Sequence, residues 1–341
     1  NSETDKNVIS IQPTETGRND NGMLLGYEGD NEMYGGGITI AGLEARNNVV
    51  VGNYIEVDPT GENKIRSRLP TDPRTSMPSI IVKNDASGNR IGGESPSEKN
   101  VFSGIRIEAG ATDTAVIGNV IGLNATGTRE FLTSSLSQVD ILGATDVLIR
   151  DNIIKGVGSY TIQSIRSKDI QILGNKLALF SDKTPISEKV VFNHFVFRET
   201  ENATIGGLQP EDANIILAPN VDIPDLPVRV LSLEGENQNI YFYGNHVVEA
   251  DLDGGNRSVI DTLKDGVDEL DIGDFDGKQN YPRLAFVTKN NGKLRFEGNL
   301  DSHLGGSSYY LDFYLTPSPV SSGHGGVPLT YIGRGVVETG I

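Results

Sequence analysis

The sequence predicts an all-β fold in which a parallel β-helix, a solenoid of stacked coils, is followed by a small β-sandwich. Helical periodicity is almost absent from the 341 residues, whereas short runs of β-branched residues recur throughout. A Gly-Asn pair follows several of these runs and is followed in turn by another such run, which suggests a repeated corner between two strands. From about Tyr281 the short runs give way to longer alternating segments, which predict antiparallel strands.

The Gly-Asn pair marks a corner between two strands. Asn175 follows Asn152 by 23 residues, and Ile105 follows Ile80 by 25. A repeat of this length with three short strands predicts one coil of a parallel β-helix. Successive coils are then expected to stack about 4.8 Å apart. The corners are Gly52-Asn53, Gly118-Asn119, Gly174-Asn175 and Gly244-Asn245, with Asp151-Asn152 as a variant.

A second phrase has a fixed internal spacing. Residues 89–93 (NRIGG) precede Asn100 and residues 203–207 (ATIGG) precede Asn214, with nine residues from Ile to Asn in both. Residues 7–10 (NVIS) look like the second half of this phrase, so we expect the chain to begin inside a coil. Irregular stretches rich in proline and charge are interpreted as loops, which often carry binding in solenoids. They lie near residues 58–78, 124–137, 181–189 and 217–227.

The composition excludes several classes of function. The net charge of −17 disfavours nucleic acid or an anionic membrane as a partner, and it mildly favours calcium as a ligand. The absence of cysteine excludes disulfides, zinc-thiolate sites and cysteine nucleophiles. No apolar run approaches the 18 residues or so of a membrane span.

These patterns divide the chain into two predicted domains. Residues 1–280 are expected to form the β-helix, and residues 281–341 a β-sandwich. The second segment is shorter than the ~100 residues of a complete immunoglobulin-like sandwich. We therefore expect this sandwich to be incomplete, either cut short or completed by another chain.

In the order of its motifs, the chain resembles large bacterial secreted and cell-surface proteins built on right-handed parallel β-helix repeats. Residues 89–128 match the coil phrase of that family, and residues 274–333 match the segment and sandwich that follow its helix. The resemblance implies a right-handed helix and an extracellular, often adhesive or structural protein. It implies no established activity. The matching motifs are NRIGG (89–93), NVFSG (100–104), IRI (105–107), VIGNVIG (116–122), NATGT (124–128), DFDG (274–277), QNYPRL (279–284), LDFY (311–314), SGHGG (322–326) and LTYIG (329–333).

The corner asparagines are interpreted as scaffold residues and not as ligands. A buried Asn can hydrogen-bond to the backbone of the coils above and below, and each such bond contributes about 1 kcal/mol net. This interpretation covers Asn53, Asn119, Asn152, Asn175 and Asn245.

The acidic segment before the sandwich is the candidate metal site. Asp268, Asp271, Asp274 and Asp276 stand at short intervals, and Asp274-Phe275-Asp276-Gly277 resembles the start of a calcium loop. The full EF-hand spacing is absent, so a solvated acidic linker is the alternative. Residues 251–256 (DLDGGN) form a second, weaker candidate for calcium.

No catalytic residue is assigned. Gly323-His324-Gly325 resembles a polygalacturonase motif but lies in the predicted sandwich, far in sequence from Arg166-Ser167-Lys168, the counterpart of that enzyme's Arg-x-Lys motif. His194 and Arg198 lie an even four residues apart, which would place both on one face of a strand. We interpret them as surface residues at a loop.

Surface tyrosines are candidates for stacking on sugars. Tyr241 and Tyr243 share one face of a strand and could form an exposed platform, although packing between coils is the alternative. The other candidates are Tyr27, Tyr34, Tyr160, Tyr309, Tyr310 and Tyr314.

The favoured function is a non-catalytic extracellular surface or fibre module, either adhesin-like or structural. Its expected partners are cell-surface carbohydrate, neighbouring copies or adjacent domains of a larger surface protein. The alternative is a polysaccharide lyase or glycoside hydrolase on the same scaffold. An enzyme should cluster acidic residues and a base in one groove, whereas a structural module should scatter its charges.

Overall fold

The fold is seen in a computed structural model of the chain. It describes residues 7–9, 17–18, 23–25, 37–64, 78–108, 110–131, 138–156, 158–184, 186, 191–217, 228–248, 257–261, 283–300, 308–315 and 330–338.

The described residues are almost entirely strands and the turns between them. Two 3-10 helices, Pro96–Glu98 and Pro210–Asp212, are the helical elements of this part of the chain. In chain order the strands are β1 (Asn7–Ile9), β2 (Gly17–Arg18), β3 (Met23–Leu25), β4 (Ile38–Ala41), β5 (Val49–Val50), β6 (Asn53–Ile55), β7 (Ile80–Lys83), β8 (Ser87–Gly92), β9 (Val101–Phe102), β10 (Ile105–Glu108), β11 (Thr112–Ile117), β12 (Val120–Ile121), β13 (Val139–Leu142), β14 (Thr145–Arg150), β15 (Ile153–Ile154), β16 (Gly158–Ile165), β17 (Lys168–Leu173), β18 (Lys176–Leu177), β19 (Val191–Arg198), β20 (Glu201–Ile205), β21 (Ile215–Leu217), β22 (Val228–Glu234), β23 (Gln238–Phe242), β24 (His246–Val248), β25 (Arg257–Asp261), β26 (Arg283–Asn290), β27 (Lys293–Asn299), β28 (Ser308–Leu315) and β29 (Thr330–Glu338).

Three sheets run along the molecule, and each coil contributes one strand to each sheet. Sheet A has the order β1-β6-β9-β12-β15-β18-β21-β24, and sheet C has the order β23-β20-β17-β14-β11-β8-β5. Sheet B has the order β2-β3-β4-β7-β10-β13-β16-β19-β22-β25. The strand pairs are parallel except for β2–β3 and β3–β4 at the start of sheet B. The predicted parallel β-helix is therefore confirmed.

The interior is filled by rows of apolar side chains that the strand register stacks from coil to coil. In sheet B, Ile80 pairs with Ile105, Ile105 with Val139, and Val139 with Ile162, and all four are buried. Phe195 continues this row in the next coil. Burying such a side chain contributes about 1.5–3 kcal/mol, so the row stabilises every coil through its neighbours.

An asparagine ladder runs through the corner between sheet C and sheet A. The backbone N–H and the side-chain Nδ2 of each member except the last donate to the Oδ1 of the member in the next coil, at 2.8–3.2 Å. The predicted scaffold role of the corner asparagines is confirmed. Two members, Asn100 and Asn214, belong to the second phrase and were not included in that prediction. The ladder consists of Asn53, Asn100, Asn119, Asn152, Asn175, Asn214 and Asn245.

At the Gly-Asn and Asp-Asn corners, the residue before the ladder asparagine is held in the left-handed region. Gly118 has φ +66°, and a Cβ there would collide with the carbonyl oxygen of Gly93 in the neighbouring coil. Gly244 has φ +70° and meets the carbonyl of Gly207 in the same way. Asp151 adopts φ +56° at the corner where Asp replaces Gly, in keeping with the tolerance of Asp for this region. The Gly-Asn signature thus reflects a steric demand together with a hydrogen-bonding demand.

The C-terminal segment forms two antiparallel hairpins, β26–β27 and β28–β29. The Phe296 ring stacks on Phe313 at a centroid distance of 3.9 Å, which joins the two hairpins. The β28–β29 hairpin also touches the last corner, because the Arg334 guanidinium lies 4.5 Å from the Tyr243 ring centroid. Within the described residues from 283 to 338 these strands do not close a sandwich. Completion by another chain stays a prediction.

The ladder leads to a prediction about stability. In Asn152→Ala, the backbone N–H of Asn119 loses its Oδ1 acceptor and Asn119 Nδ2 loses one of its acceptors. The carbonyls of Val116 and Arg150 each lose one donor. Each buried group left unpaired costs about 1–3 kcal/mol, so we expect the free energy of unfolding to fall by roughly 3 kcal/mol or more. Urea denaturation measures it. Asn299→Ala, on an exposed strand position, is the control and should change stability by less than about 0.5 kcal/mol. Equal effects of the two substitutions would contradict the ladder's role.

Candidate functional site

The residues predicted to bind calcium lie outside the part of the chain that the structure describes. This holds for Asp268, Asp271, Asp274 and Asp276, and also for residues 251–256. Among the described residues, no group of three or more His, Asp or Glu side chains is placed to hold a metal ion. The calcium site therefore stays a prediction.

The interpretation of His194 as a surface residue is wrong. His194 lies within β19 and is fully buried. Its Nδ1 accepts from the Thr161 hydroxyl at 2.9 Å, and its Nε2–H donates to the carbonyl oxygen of Leu217. Burial lowers the pKa of His194 from 6.5 to about 4, although the Leu217 carbonyl acts in the opposite direction. The imidazole is therefore neutral at physiological pH and is sealed from any ligand in solvent.

Arg198 is paired with a residue other than His194. Its Nε donates to the carboxylate of Glu234, which faces it from β22 in the next coil. Arg166 and Lys168 are likewise held by acidic residues of the next coil, at 2.9 and 3.1 Å respectively; their partners are Glu199 and Glu201. The Gly-His-Gly motif at residues 323–325 lies outside the described residues. The basic residues considered for catalysis thus form separate ion pairs between coils.

Stacked loops cover much of the outer face of sheet A. The loop after β6 and the loop after β12 are joined by a hydrogen bond of 2.8 Å from the Ala125 N–H to the Gly61 carbonyl. Asn124 closes its loop by accepting at Oδ1 from the backbone N–H groups of Thr128 and Arg129. This explains the Asn-Ala-Thr-Gly-Thr phrase as a turn with its own side-chain cap. The loops bury a second apolar cluster that includes Tyr54, Val57, Val101, Val120, Leu123 and Phe131.

Lys155 is a charged residue that sequence reasoning missed. Its side chain is 1% exposed and forms an ion pair with Glu130 at 2.9 Å, beneath the loop after β12. Its Nζ also donates to the Phe131 carbonyl at 2.6 Å. A buried ammonium is tolerated when a carboxylate and a carbonyl replace its water, so Lys155 anchors this loop to the coil. In the preceding coil the equivalent position is Gly122, because β12 pairs with β15 in this register. The sequence pattern therefore did not indicate a buried lysine at this position.

Sheet B also has little open outer surface in its later coils. Val196 in β19 and Ser232 in β22 face outward in register, and both are fully buried. Asp140 in β13 is also buried and pairs with Arg106 at 3.3 Å. Sheet C, in contrast, keeps exposed side chains such as Gln171 and Tyr241 on its outer face. An accessible site is therefore to be sought on sheet C.

An open cleft of about 490 Å³ lies on the outer face of sheet C, beside the turn that carries the second 3-10 helix. We call it the corner cleft. Strands β17 and β20 form its floor, and the turn from Gly206 to Asp212 forms one wall. Its polar and aromatic lining includes Asp169, Gln171, Asn202, Thr204, Asp212 and Tyr243.

The corner cleft exists because one long side chain is missing. Residues 89–100 and 203–214 carry the same phrase, and both include a Gly-Gly pair, a 3-10 helix and a ladder asparagine. In the first copy, Arg90 fills the space between strand and turn, and its Nη2 lies 3.0 Å from Glu98. In the second copy, Thr204 stands at the position of Arg90. Threonine is shorter by several atoms, so the same space stays open.

The acidic residue of the turn is paired in both copies. Asp212 occupies the position of Glu98, and its Oδ1 accepts from Arg150 of β14 at 3.0 Å. Its charge is therefore balanced from a different coil. The cleft wall is held in place by this ion pair, and no Lys or Arg is among the described residues that line the cleft.

The floor of the corner cleft combines engaged and free polar groups. Asp169 and Asn202 adopt φ near +57° and +55°, and Asn202 Nδ2 donates to Asp169 Oδ1 at 2.9 Å. Asn239 Nδ2 in turn donates to Asn202 Oδ1 at 2.8 Å. By contrast, neither the Gln171 amide nor the Thr204 hydroxyl has a hydrogen-bond partner within the described residues. Both are available to a ligand.

The two tyrosines predicted to form a platform have different surroundings. Tyr241 pairs with Thr204 across β23 and β20 and is 52% exposed. Tyr243 follows the end of β23, and the Arg334 guanidinium covers its ring. Arg334 is itself held by two hydrogen bonds to Asp312, at 2.8 and 2.7 Å. Tyr241 is thus the exposed aromatic, while Tyr243 joins the cleft to the C-terminal hairpin.

The remaining tyrosines add no second platform within the described residues. Tyr27 and Tyr34 lie outside them, and nothing is described of the side chain of Tyr309. Tyr310 is exposed, but the Arg334 guanidinium lies 5.1 Å from its ring centroid. Tyr160 is half-buried in β16, and Tyr314 packs edge-on against Tyr331.

The chain matches no protein-family model, no curated protein and no solved structure. Within the residues that the structure describes, no helix combines the length and the apolar character needed to cross a membrane.

The burial of His194 leads to a prediction about acid stability. Below pH 6.5 the unfolded chain binds a proton at this residue, while the folded chain does so only near pH 4. Stability is therefore lost as pH falls through this window, by roughly 3 kcal/mol. His194→Gln keeps a neutral donor and does not titrate. We expect the unfolding free energy of the wild type to fall relative to that of the variant by about this amount between pH 6.5 and pH 4. Urea denaturation at several pH values measures both free energies. A difference that stays constant with pH would contradict the buried neutral histidine.

Proposed function

We propose that this chain is a non-catalytic, extracellular surface or fibre module that serves adhesion through carbohydrate binding on a rigid scaffold. The observation that carries the proposal is the corner cleft, whose free side chains can donate and accept hydrogen bonds but are not arranged for acid–base chemistry. Gln171 and Thr204 lie on its floor, and Tyr241 is exposed beside Thr204. Amides, hydroxyls and an exposed ring are the groups that bind sugars without reacting with them.

The charged groups support a binding role over an enzymatic one. Glycoside hydrolysis needs two carboxyl groups free to act on opposite sides of the scissile bond. In the corner cleft, Asp212 is tied to Arg150 and Asp169 accepts from Asn202. A lyase needs a basic residue beside the substrate, and the floor of the cleft presents none among the described residues. Other charges on the coils are spread in separate ion pairs, as expected for a structural surface.

The extracellular location rests on the motif order that resembles bacterial surface β-helix proteins. A stack of coils places a binding face on a long, regular support. The Phe296–Phe313 stack and the Arg334–Tyr243 contact also tie the C-terminal hairpins to each other and to the last coil. Neighbouring copies or adjacent domains are the further partners proposed.

The test of the proposed function is retention without turnover. We expect the intact chain to be retained on immobilised neutral polysaccharides and to release no soluble product from them or from acidic polysaccharides. Reducing-end and unsaturated-product assays on the same polymers provide the measurement. Release of new reducing ends, or of unsaturated product from an acidic polysaccharide, would establish the enzymatic alternative. The residues of the corner cleft would then need to be reassigned.

Calcium binding at the acidic segment is a separate proposal. It rests on the spacing of Asp268, Asp271, Asp274 and Asp276. We expect calorimetric heat on titration with calcium, and we expect its loss in the double variant Asp274→Asn, Asp276→Asn, because these changes remove two carboxylate ligands. Asp113→Asn, at an exposed position of β11, is the control. Absence of heat at millimolar calcium would end the proposal.

A further inference from the structure

We propose that the corner cleft is a subsite for one uncharged sugar unit of a longer glycan. This inference rests on the proposed function and adds to it the place of binding and the class of ligand. It follows from three properties of the cleft: its unpaired polar groups, its charge and its apolar rim.

The unpaired groups match the chemistry of a sugar ring. Vicinal hydroxyls each donate and accept, so they pair well with an amide and with another hydroxyl. Gln171 offers both amide functions, and Thr204 offers a hydroxyl in the adjacent strand at the paired position. Asp169 uses Oδ1 for Asn202, and its Oδ2 has no described partner and can accept from a sugar O–H. Three hydrogen-bonding groups thus converge on one floor.

The charge of the corner cleft selects an uncharged ligand. Arg150 balances Asp212, whereas no Lys or Arg forms an ion pair with Asp169 among the described residues. A uronate or sulfated sugar would bring a second negative charge beside Asp169, within a protein whose net charge is −17. Neutral sugars carry no such penalty.

Apolar side chains at and beside the cleft supply surfaces for the C–H faces of a sugar. Leu208 lines the cleft on the turn, and Tyr241 in β23 lies beside Thr204; each is 52% exposed. Leu173 in β17 adds a buried apolar surface to the cleft lining. Exposed large apolar side chains beside unpaired polar groups are typical of a small-molecule site rather than of an ordinary surface.

The first copy of the phrase shows how the space of the corner cleft can be filled by a side chain. Arg90 occupies this space in the first copy of the phrase, where it reaches Glu98 and the Gly92 carbonyl. Thr204→Arg should place a guanidinium in the same position, within reach of Asp212. The substitution is expected to fill the cleft without disturbing the coil, because the scaffold already accepts this residue in the same strand register.

The experiment is a calorimetric or NMR titration of the intact chain with neutral oligosaccharides (gluco-, manno- and galacto-linked) and with an oligogalacturonate. We expect millimolar or tighter binding of at least one neutral oligosaccharide and none of the acidic one. Thr204→Arg and Gln171→Ala should each weaken that binding by about tenfold or more, since each removes or blocks a hydrogen-bonding group. Ala115→Arg, in the same outward row two coils before Gln171, is the matched control and should change it by less than about twofold.

The outcomes separate this inference from the proposed function. Binding that survives both Thr204→Arg and Gln171→Ala would remove the corner cleft as the site and leave an adhesive module standing. Tighter binding of the acidic oligosaccharide would overturn the ligand class. Absence of all oligosaccharide binding would remove the subsite. The proposed function would fall as well if the intact chain were not retained on any immobilised polysaccharide, or if it released product. A thermal melt of Thr204→Arg checks its folding, and Gln171→Ala keeps the test decisive if that variant is unstable.

Discussion

A backbone that turns a corner after every few residues exposes amide and carbonyl groups that no sheet can pair. The asparagine ladder solves this problem once per coil. Each side chain accepts from the preceding coil and donates to the next, so no member is satisfied without its neighbours. Leaving one such buried group unpaired costs about 1–3 kcal/mol, which is a substantial fraction of the roughly 5–15 kcal/mol by which a folded domain is stable. The ladder and the apolar rows of the interior therefore share one register from coil to coil, and a slip in one would disrupt the other.

The same regularity confines variation to the outside of the coil. Inward positions must match the coil above and below, whereas outward positions need only suit their local surroundings. Loops cover sheet A through a second apolar cluster, and outward residues of sheet B are buried in the later coils. Sheet C remains accessible, and there the exchange of Arg90 for Thr204 in a repeated phrase opens a cleft. On this scaffold a single outward residue thus decides whether the space beside the turn is filled or open.

Three residues show which features could be predicted from the sequence and which could not. The corner at Asn175 was predicted correctly because Gly, Asn and the β-branched flanks are local signals of a steric and hydrogen-bonding demand. His194 was misplaced because the polar character of an imidazole suggests solvent, while its surroundings come from Thr161 and Leu217, 33 and 23 residues away. Lys155 was missed for the same reason, since its partner Glu130 reaches it from the preceding coil.

The sequence by itself determined the architecture: repeat length, corner chemistry and strand pattern each express a local rule that every coil repeats. It also pointed to a binding or structural module through charge, the absence of cysteine and the order of its motifs. Only the tertiary structure decided which face is open and which polar groups are free. The reason is physical. The neighbours of an outward side chain belong to other coils, and whether a carboxylate such as Asp212 is paired or available depends on an arginine 62 residues away.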